Sequence, residues 1–492
     1  MKKIRVYVLL LTITMLVSLL AACGGKSTNT PAPSNATQQP SETNSNKDKE
    51  KEKDAEPTKD TITALLPPVS ANYQARFADM EKEFNELYPH LTLKIEPASW
   101  EDMTQKLDTQ VNAGSPPDIA WIGAASVSKY ANLDVLIDIN PALTSEMKAD
   151  FDEVPLQYFQ LGDAQYGFPA YMAVHSIGGN KAFMEEAGID WKAVQQNGWT
   201  FDEYREAIKK GIVKNDKGET TRYGFVFATS GVTSKDYLSI MAKSAGIPEY
   251  FDNDLKFTYT SKNFLGLLEA LRTMIDDGSM PKELSSIDAG KRWNMFLTGQ
   301  TMITGKGLAS FENSARLNNE KIKANDGSAV ADSIEAEYIP LPVPTFNGAE
   351  YIPTTVVDGY IALRGKKEPT GEHVNNIALA MYYLSSGAVA ANYSNELFLA
   401  PVTETARNAA VIEEYPRNED NVKADEIMMS KAVAARTDIP TDKAAEAIKI
   451  ETEVIIPKLQ ALLANEITPQ QMYDAVKTAA IKSFGEAGIV VD

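Results

Sequence analysis

Cysteine and histidine are nearly absent from this chain of 492 residues, which contains one cysteine and three histidines. A single cysteine excludes an intramolecular disulfide framework and any zinc site built from paired cysteines. The histidines, His90, His175 and His373, are far apart in the sequence, so a centre of several histidines is not expected. We therefore expect no bound metal and no cofactor.

Basic residues are scarce relative to acidic ones, with 48 lysines and arginines against 67 aspartates and glutamates and a formal net charge of −19. A nucleic-acid-binding protein needs a basic face to neutralise phosphates, so we expect no nucleic-acid partner. The hydrophobic content of 43% is ordinary for a soluble protein. Because 492 residues exceed what one hydrophobic core usually organises, we expect two domains or lobes.

A short apolar run, residues 6–22, lies at the N-terminus behind three basic residues. This is the pattern of an export signal. The run ends in Leu-Ala-Ala directly before Cys23, which resembles the bacterial lipobox. We expect residues 1–22 to be a lipoprotein signal peptide and Cys23 to carry a diacylglycerol that anchors the protein to the membrane. A plain membrane helix with an incidental cysteine is the alternative.

Residues 24–60 contain no large apolar side chain. Such a segment cannot bury a core, so we expect residues 23–60 to be the lipidated cysteine and a disordered hydrophilic tether. A tether of this kind lets a folded body move above the membrane surface. An anchor with a long tether favours the extracellular face of a Gram-positive cell membrane. A partner-binding tail is the alternative.

Hydrophobic periodicity from residue 61 onward alternates between strands and helices. It predicts strands at 62–68, 91–97 and 117–123 and helices at 73–88 and 100–114, the last closed by Gly114. It also predicts helices at 198–211, 263–278 and 375–394, strands at 223–228 and 356–365, and a C-terminal helix that begins at Pro469. Thr200 and Glu203 have the spacing of a capping box. This order indicates an α/β fold with parallel strand pairing.

Several segments together resemble the extracellular solute-binding proteins of ABC importers, the family that contains the maltose-binding protein. The segments are PDIAWIGAASVSKYANLDVLIDINPAL (117–143), YGFPAYMAVHSIGGNKAFMEEAGID (166–190), WTFDEYREAIKK (199–210), FLTGQTMITGKG (296–307) and ANEITPQQMYDAV (464–476). Thr301 stands where the family usually has alanine, and Asn132-Leu133-Asp134 replaces the usual glycine turn. The resemblance spans nearly all of residues 61–490.

The resemblance implies a two-lobed periplasmic-binding-protein-like fold of type II, with hinge strands between the lobes and a ligand cleft. We expect residues 61–170 plus 361–400 in lobe 1 and residues 171–360 plus 401–492 in lobe 2, with crossings near 169–173, 356–361 and 398–405. Closure of the lobes over a ligand creates the shape that the permease recognises. We expect a monomer that takes a carbohydrate, most simply an oligosaccharide, and that is not an enzyme.

A sugar binder needs aromatic faces for stacking and carboxylates or amides for the hydroxyls, placed at the carboxyl ends of the strands. The candidate ligand-binding residues are Asn72, Trp121, Gly123, Tyr171, His175, Tyr237, Lys306, Asp358 and Tyr360. Core packing is the alternative for Trp121, Tyr171 and His175. A salt bridge across the hinge is the alternative for Asp358, and a helix cap for Lys306.

No catalytic motif fits the chain: it has neither HExxH nor GxSxG, and GQTMITGKG lacks the spacing of a phosphate-binding loop. A pair of carboxylates of the glycosidase kind is assembled in three dimensions and is not visible in spacing. A secreted, polysaccharide-active lipoprotein enzyme is therefore the alternative function. The same fold with a peptide or a polyamine as cargo is a further alternative.

Overall fold

The computed structural model describes residues 58–68, 73–100, 102–230, 234–247, 249–282, 286–433, 436 and 439–492. The predicted signal peptide, Cys23 and nearly all of the predicted tether lie outside these residues. Among the described residues, none of the helices has the length and apolar character needed to span a membrane.

Strands and helices alternate from residue 60 to residue 132, as the periodicity predicts, and follow in short runs after that. The elements are β1 Asp60–Leu66, α1 Tyr73–Leu87, β2 Leu91–Pro97, α2 Met103–Ala113, β3 Ile119–Gly123, α3 Val127–Asn132, α4 Ser145–Asp150, α5 Glu153–Gln157, β4 Gln160–Leu161, β5 Ala164–Gln165, β6 Gly167–Val174, β7 Ser176–Asn180, α6 Lys181–Glu186, α7 Trp191–Asn197, α8 Phe201–Lys210, β8 Val213–Lys214 and β9 Thr220–Phe227.

The second part of the chain is mostly helical. Its elements are α9 Asp236–Met241, α10 Lys262–Asp276, α11 Ala289–Leu297, β10 Thr301–Gly307, α12 Ser310–Ala324, β11 Tyr338–Leu341, β12 Thr355–Ala362, α13 Gly371–Ser385, α14 Gly387–Leu397, α15 Glu404–Asn408, α16 Glu419–Met429, α17 Thr441–Ile450, α18 Ile456–Leu463 and α19 Pro469–Phe484. A π-helical turn, Glu451–Ile455, joins α17 to α18, whose second residue is Pro457.

The first sheet has the strand order β2-β1-β3-β12-β6. β1 runs parallel to β2 and β3, as predicted, whereas β12 is antiparallel to both of its neighbours. The second sheet has the order β11-β7-β10-β9-β8, and its central strand, β10, is parallel to β9 and antiparallel to β7. A separate hydrophobic core packs against each sheet.

The chain changes sheets between β6 and β7, at His175, and returns to the first sheet with β12. β12 begins at Thr355, so the chain is back in the first sheet before residue 361, where the second segment of lobe 1 is expected to begin. We call the part of the protein built on the first sheet the first lobe and the part built on the second sheet the second lobe. The residue boundaries expected for the lobes stay predictions.

Local signals in the sequence position most helix ends. Thr200 and Glu203 form the predicted capping box of α8, and α19 begins at Pro469 as predicted, with an additional capping box of Thr468 and Gln471. Gly114 ends α2 with φ 74°, in the left-handed region that favours glycine. These three predictions are confirmed.

The predicted continuous helix over 375–394 is wrong, because the structure has two helices there, α13 and α14. Ser386 is extended and Gly387 has φ 53°, which breaks the helical path between them. The hydroxyls of Ser385 and Ser386 donate to the carbonyl oxygens of Met381 and Tyr382. Each hydroxyl thus bonds to the carbonyl one turn earlier, at the C-terminal end of α13.

The side chain of His373 lies between two carboxylates, one of which belongs to Asp60, the first residue of β1. His373 Nδ1 lies 2.7 Å from Asp60 Oδ2, and His373 Nε2 lies 3.2 Å from Asp118 Oδ1. Burial opposes the charged imidazole, but the hydrogen bonds to the two carboxylates prevail and raise the pKa of His373. Asn376 donates to Asp60 Oδ2 at 2.9 Å. The geometry therefore favours an imidazolium that donates to both carboxylates.

This pairing predicts a pH dependence of the free energy of unfolding. Because the pKa of His373 is higher in the folded state than in the unfolded chain, its stabilising effect is complete below about pH 6.5 and is lost as the pH rises through the folded-state pKa. We expect His373→Gln to lower the free energy of unfolding at pH 6 by about 1 to 3 kcal/mol, and by less at pH 9.

Thermal unfolding at pH 6, 7.5 and 9 measures this difference, with His90→Gln as the matched control. An equal loss of stability for His373→Gln at all three pH values contradicts the pairing.

Candidate functional site

The carboxyl end of β3 and its neighbours present the predicted residues on one face of the first sheet. Asp358 lies opposite Gly123, and Tyr360 lies opposite Trp121, in the antiparallel register of β12 with β3. Tyr171 of β6 lies opposite Asp358 on the other side. Since alternate residues of a strand share a face, these five residues belong to one surface.

Aromatic rings cluster around Trp121, whose side chain is buried. The ring centroid of Trp121 lies 5.2 Å from that of Tyr360 and 5.9 Å from that of Tyr171. Tyr393 of α14 lies 6.0 Å from Trp121 and 6.2 Å from Tyr171. Trp100 is 41% exposed and meets Trp121 edge to face at 6.4 Å. The cluster is an aromatic wall with one exposed member at its rim.

A carboxylate lies beside this wall. Tyr171 Oη donates to Asp358 Oδ2 at 2.5 Å. Burial raises the pKa of Asp358, while the Tyr171 hydrogen bond and the charge of Lys306 oppose this rise. A Cβ atom at Gly123 would lie 3.1 Å from Asp358 Oδ1. The absence of a side chain at Gly123 therefore leaves room for the carboxylate.

Charged side chains of the second lobe lie at the carboxyl end of β10. Lys306 Nζ lies 3.6 Å from Asp236 Oδ1, and the other oxygen of Asp236 is buried without a hydrogen-bond partner among the described residues. Arg292 Nη1 donates to the Lys306 carbonyl oxygen at 2.5 Å. Burial lowers the pKa of Arg292, although the charge of Asp236 opposes this.

His175, at the crossing between the sheets, is buried, and both of its ring nitrogens are without hydrogen-bond partners among the described residues. Burial lowers the pKa of His175 well below its usual value, and the charges of Lys306, Arg292 and Lys243 lower it further. His175 is therefore neutral at physiological pH, with one donor and one acceptor available for a ligand.

The two lobes meet at this site. Lys306 of the second lobe acts electrostatically on Asp358 and on His175. A second contact between the lobes joins α3 to α17, where Asn132 Nδ2 donates to the Thr441 carbonyl oxygen at 3.3 Å. The structure thus brings Trp121, Gly123, Tyr171, His175, Lys306, Asp358 and Tyr360 to the junction of the lobes.

Two predicted residues do not join this group. Tyr237 is 0% exposed in the core of the second lobe, and its hydroxyl donates to the Leu267 carbonyl oxygen at 3.1 Å. It belongs to the core because α9 begins one residue earlier, at Asp236, and turns the tyrosine inward. Asn72 lies outside the described residues.

Sequence reasoning missed Tyr393, Asp236 and Arg292. Tyr393 and Arg292 lie within helices, where apolar periodicity assigns them to packing. Asp236 directly precedes Tyr237, so the prediction named the neighbouring residue. Among the described residues, no group of three or more histidine, cysteine or acidic side chains has the arrangement of a metal site.

Comparison with known proteins gives the family. The family model described as "Bacterial extracellular solute-binding protein" matches residues 64–389, more than half of the chain. The chain belongs to this family. The resemblance seen in the sequence is therefore confirmed.

Two curated relatives of this solute-binding protein match part of its length. A binding protein of Brucella abortus (strain 2308) is 26% identical over 246 residues, which cover 49% of this chain and 57% of the relative. The arabinooligosaccharide-binding protein of Halalkalibacterium halodurans is 26% identical over 212 residues, 40% of this chain and 42% of the relative. The chain thus spans about half the length of the curated relatives it matches.

Solved structures show the same fold. An ABC substrate-binding protein of Listeria monocytogenes in complex with cycloalternan has a TM-score of 0.65 at 17% identity, over 87% of this chain and 99% of that one. A maltose/maltodextrin-binding domain of Bdellovibrio bacteriovorus bound to maltotriose has a TM-score of 0.65 at 15% identity, over 86% and 99%. The expected two-lobed α/β fold is confirmed.

The Tyr171–Asp358 contact predicts a change in stability for this solute-binding protein. Tyr171→Phe leaves a partly buried carboxylate without its donor, so we expect the free energy of unfolding to fall by about 1.5 to 3 kcal/mol. The same substitution in an Asp358→Asn background removes a bond to a neutral group, and we expect a smaller loss.

Chemical denaturation of the four members of this double-mutant cycle measures the coupling. Tyr237→Phe, which loses a bond to a neutral carbonyl, is the matched control, with an expected loss of about 0.5 to 1.5 kcal/mol. Equal losses in both backgrounds would show that the hydroxyl and the carboxylate do not interact.

Proposed function

We propose that this protein is the lipid-anchored, extracellular binding component of an ABC importer, which takes a carbohydrate between its lobes and delivers it to the permease. The observation that carries the proposal is the aromatic wall of the first lobe beside Asp358, at the junction with the charged edge of the second lobe. Stacking faces beside hydrogen-bonding groups match the C–H faces and the hydroxyls of a sugar.

The relatives support the same class of ligand. One curated relative is named for arabinooligosaccharides, and the solved structures of the same fold hold cycloalternan and maltotriose. A chitin oligosaccharide binding protein also shares the fold, with a TM-score of 0.64 at 17% identity. These names differ in the sugar, so the proposal is made for the carbohydrate class.

The mechanism we propose is ligand-selected closure. A ligand that contacts both lobes binds the closed arrangement more tightly than the open one. The difference between these two binding free energies is the amount by which the ligand stabilises the closed arrangement. The sugar is released unchanged, because the role of each contact is binding rather than turnover.

The first test is thermal unfolding with a panel of oligosaccharides, with peptides and polyamines as controls. A ligand at one hundred times its dissociation constant stabilises the folded state by roughly 2.7 kcal/mol. We expect a rise in melting temperature with one class of sugar, which is recovered intact. Cleavage of the sugar would favour the alternative of a polysaccharide-active enzyme. A rise in melting temperature only with a peptide or a polyamine would show that this compound, and not a carbohydrate, is the cargo.

Asp358→Asn tests the site itself. The substitution keeps an acceptor for Tyr171 but removes the negative charge beside the aromatic wall. Since a hydrogen bond to a charged group contributes about 1.5 to 3 kcal/mol, we expect roughly ten- to hundredfold weaker binding of the sugar found in the panel. Calorimetric titration measures this, with the exposed Asp326→Asn as the matched control. Unchanged affinity in Asp358→Asn contradicts the assignment of the site.

Cys23→Ala tests the anchor. We expect the variant to lose incorporation of radiolabelled palmitate and to appear in the culture medium, since Cys23 is the only cysteine and the proposed attachment point of the lipid. Ser27→Ala, four residues further into the predicted tether, is the control. Label that persists in the Cys23→Ala protein rules out this anchor.

A further inference from the structure

A cavity of about 220 Å³ lies within the first lobe, between α1, α14 and the face of the first sheet. Trp121 and Tyr360 of the sheet line it from one side. Phe77 of α1 and Val389 and Tyr393 of α14 line it from the others. Trp121 and Tyr360 also belong to the aromatic wall, so the cavity adjoins the site at the junction of the lobes.

Two of the lining side chains carry buried polar atoms without partners. Trp121 is 3% exposed, and its Nε1 has no hydrogen-bond acceptor among the described residues. Tyr393 Oη is also buried and unpartnered. Buried polar atoms in proteins are nearly always hydrogen-bonded, so these two are available to an occupant that brings oxygen atoms. An indole N–H requires an acceptor, and a phenol hydroxyl takes either role.

Charge around the cavity selects against an anion. Asp79 and Glu83 of α1 and Glu396 of α14 line it together with one cation, Arg76. Three carboxylates against one guanidinium disfavour an acidic occupant. The occupant that fits is therefore neutral, with apolar faces for the aromatic rings and oxygen atoms for Trp121 and Tyr393.

We propose that this cavity is a subsite for one neutral sugar ring, the terminal residue of a carbohydrate whose remaining rings lie between the lobes. This inference rests on the proposed function and extends it, since it places one end of the carbohydrate inside a single lobe. A sugar ring supplies C–H groups for stacking on Trp121 and Tyr360 and hydroxyls for the two unpartnered atoms.

The test uses the full chain and Ala388→Trp, which places an indole at an exposed position that lines the cavity. Ala113→Trp, at an exposed alanine of α2, is the matched control. Saturation-transfer NMR and tryptophan fluorescence measure the binding of D-glucose, D-xylose, L-arabinose and N-acetyl-D-glucosamine at millimolar concentrations. D-glucuronate is the anionic probe.

We expect at least one neutral monosaccharide to bind to the wild type and to Ala113→Trp, and to bind about tenfold more weakly to Ala388→Trp. Tyr393→Phe, which removes only the hydroxyl, weakens the same binding and serves if Ala388→Trp does not fold. D-glucuronate does not bind.

The subsite is overturned if no neutral monosaccharide binds, if both cavity variants bind as the wild type does, or if D-glucuronate binds as tightly as the neutral sugars. Oligosaccharides distinguish this failure from a failure of the proposed function. If they still stabilise the wild type, only the subsite falls, and if no sugar of any length binds, both fall.

Discussion

The site depends on the insertion of β12 between β3 and β6. This antiparallel strand arrives after the second sheet is complete, and its register sets Asp358 between Gly123 and Tyr171 and sets Tyr360 against Trp121. Removing a carboxylate from water is costly unless it is hydrogen-bonded, so the partly buried Asp358 needs the Tyr171 hydroxyl, and the bare Gly123 leaves room for it. A shift of one residue would turn Asp358 to the other face of the sheet.

The same strand connects the two lobes. β6 leads out of the first sheet through His175 into β7, and β12 brings the chain back beside β6. The residues that would contact a ligand are therefore close to the segments about which the lobes turn. In such an arrangement a small difference in contacts at the site biases the position of a whole lobe.

Local patterns in the sequence predict much of this fold. The capping box at Thr200, the start of α19 at Pro469 and the left-handed turn at Gly114 involve only a few neighbouring residues, and all three are found. The break at Gly387 was missed because an apolar helical pattern continues across it. Tyr393 and Arg292 were missed because the position of a helix over a sheet edge is decided by tertiary packing.

Hydrogen exchange of the full chain, with and without a saturating oligosaccharide found by thermal unfolding, tests binding between the lobes most directly. The account predicts slower amide exchange on both sides of the junction, in peptides that cover β3 and β12 of the first sheet and the end of β10 in the second, while the sugar is recovered unchanged. Protection confined to one sheet, or a sugar recovered in pieces, would contradict a receptor that closes over its carbohydrate.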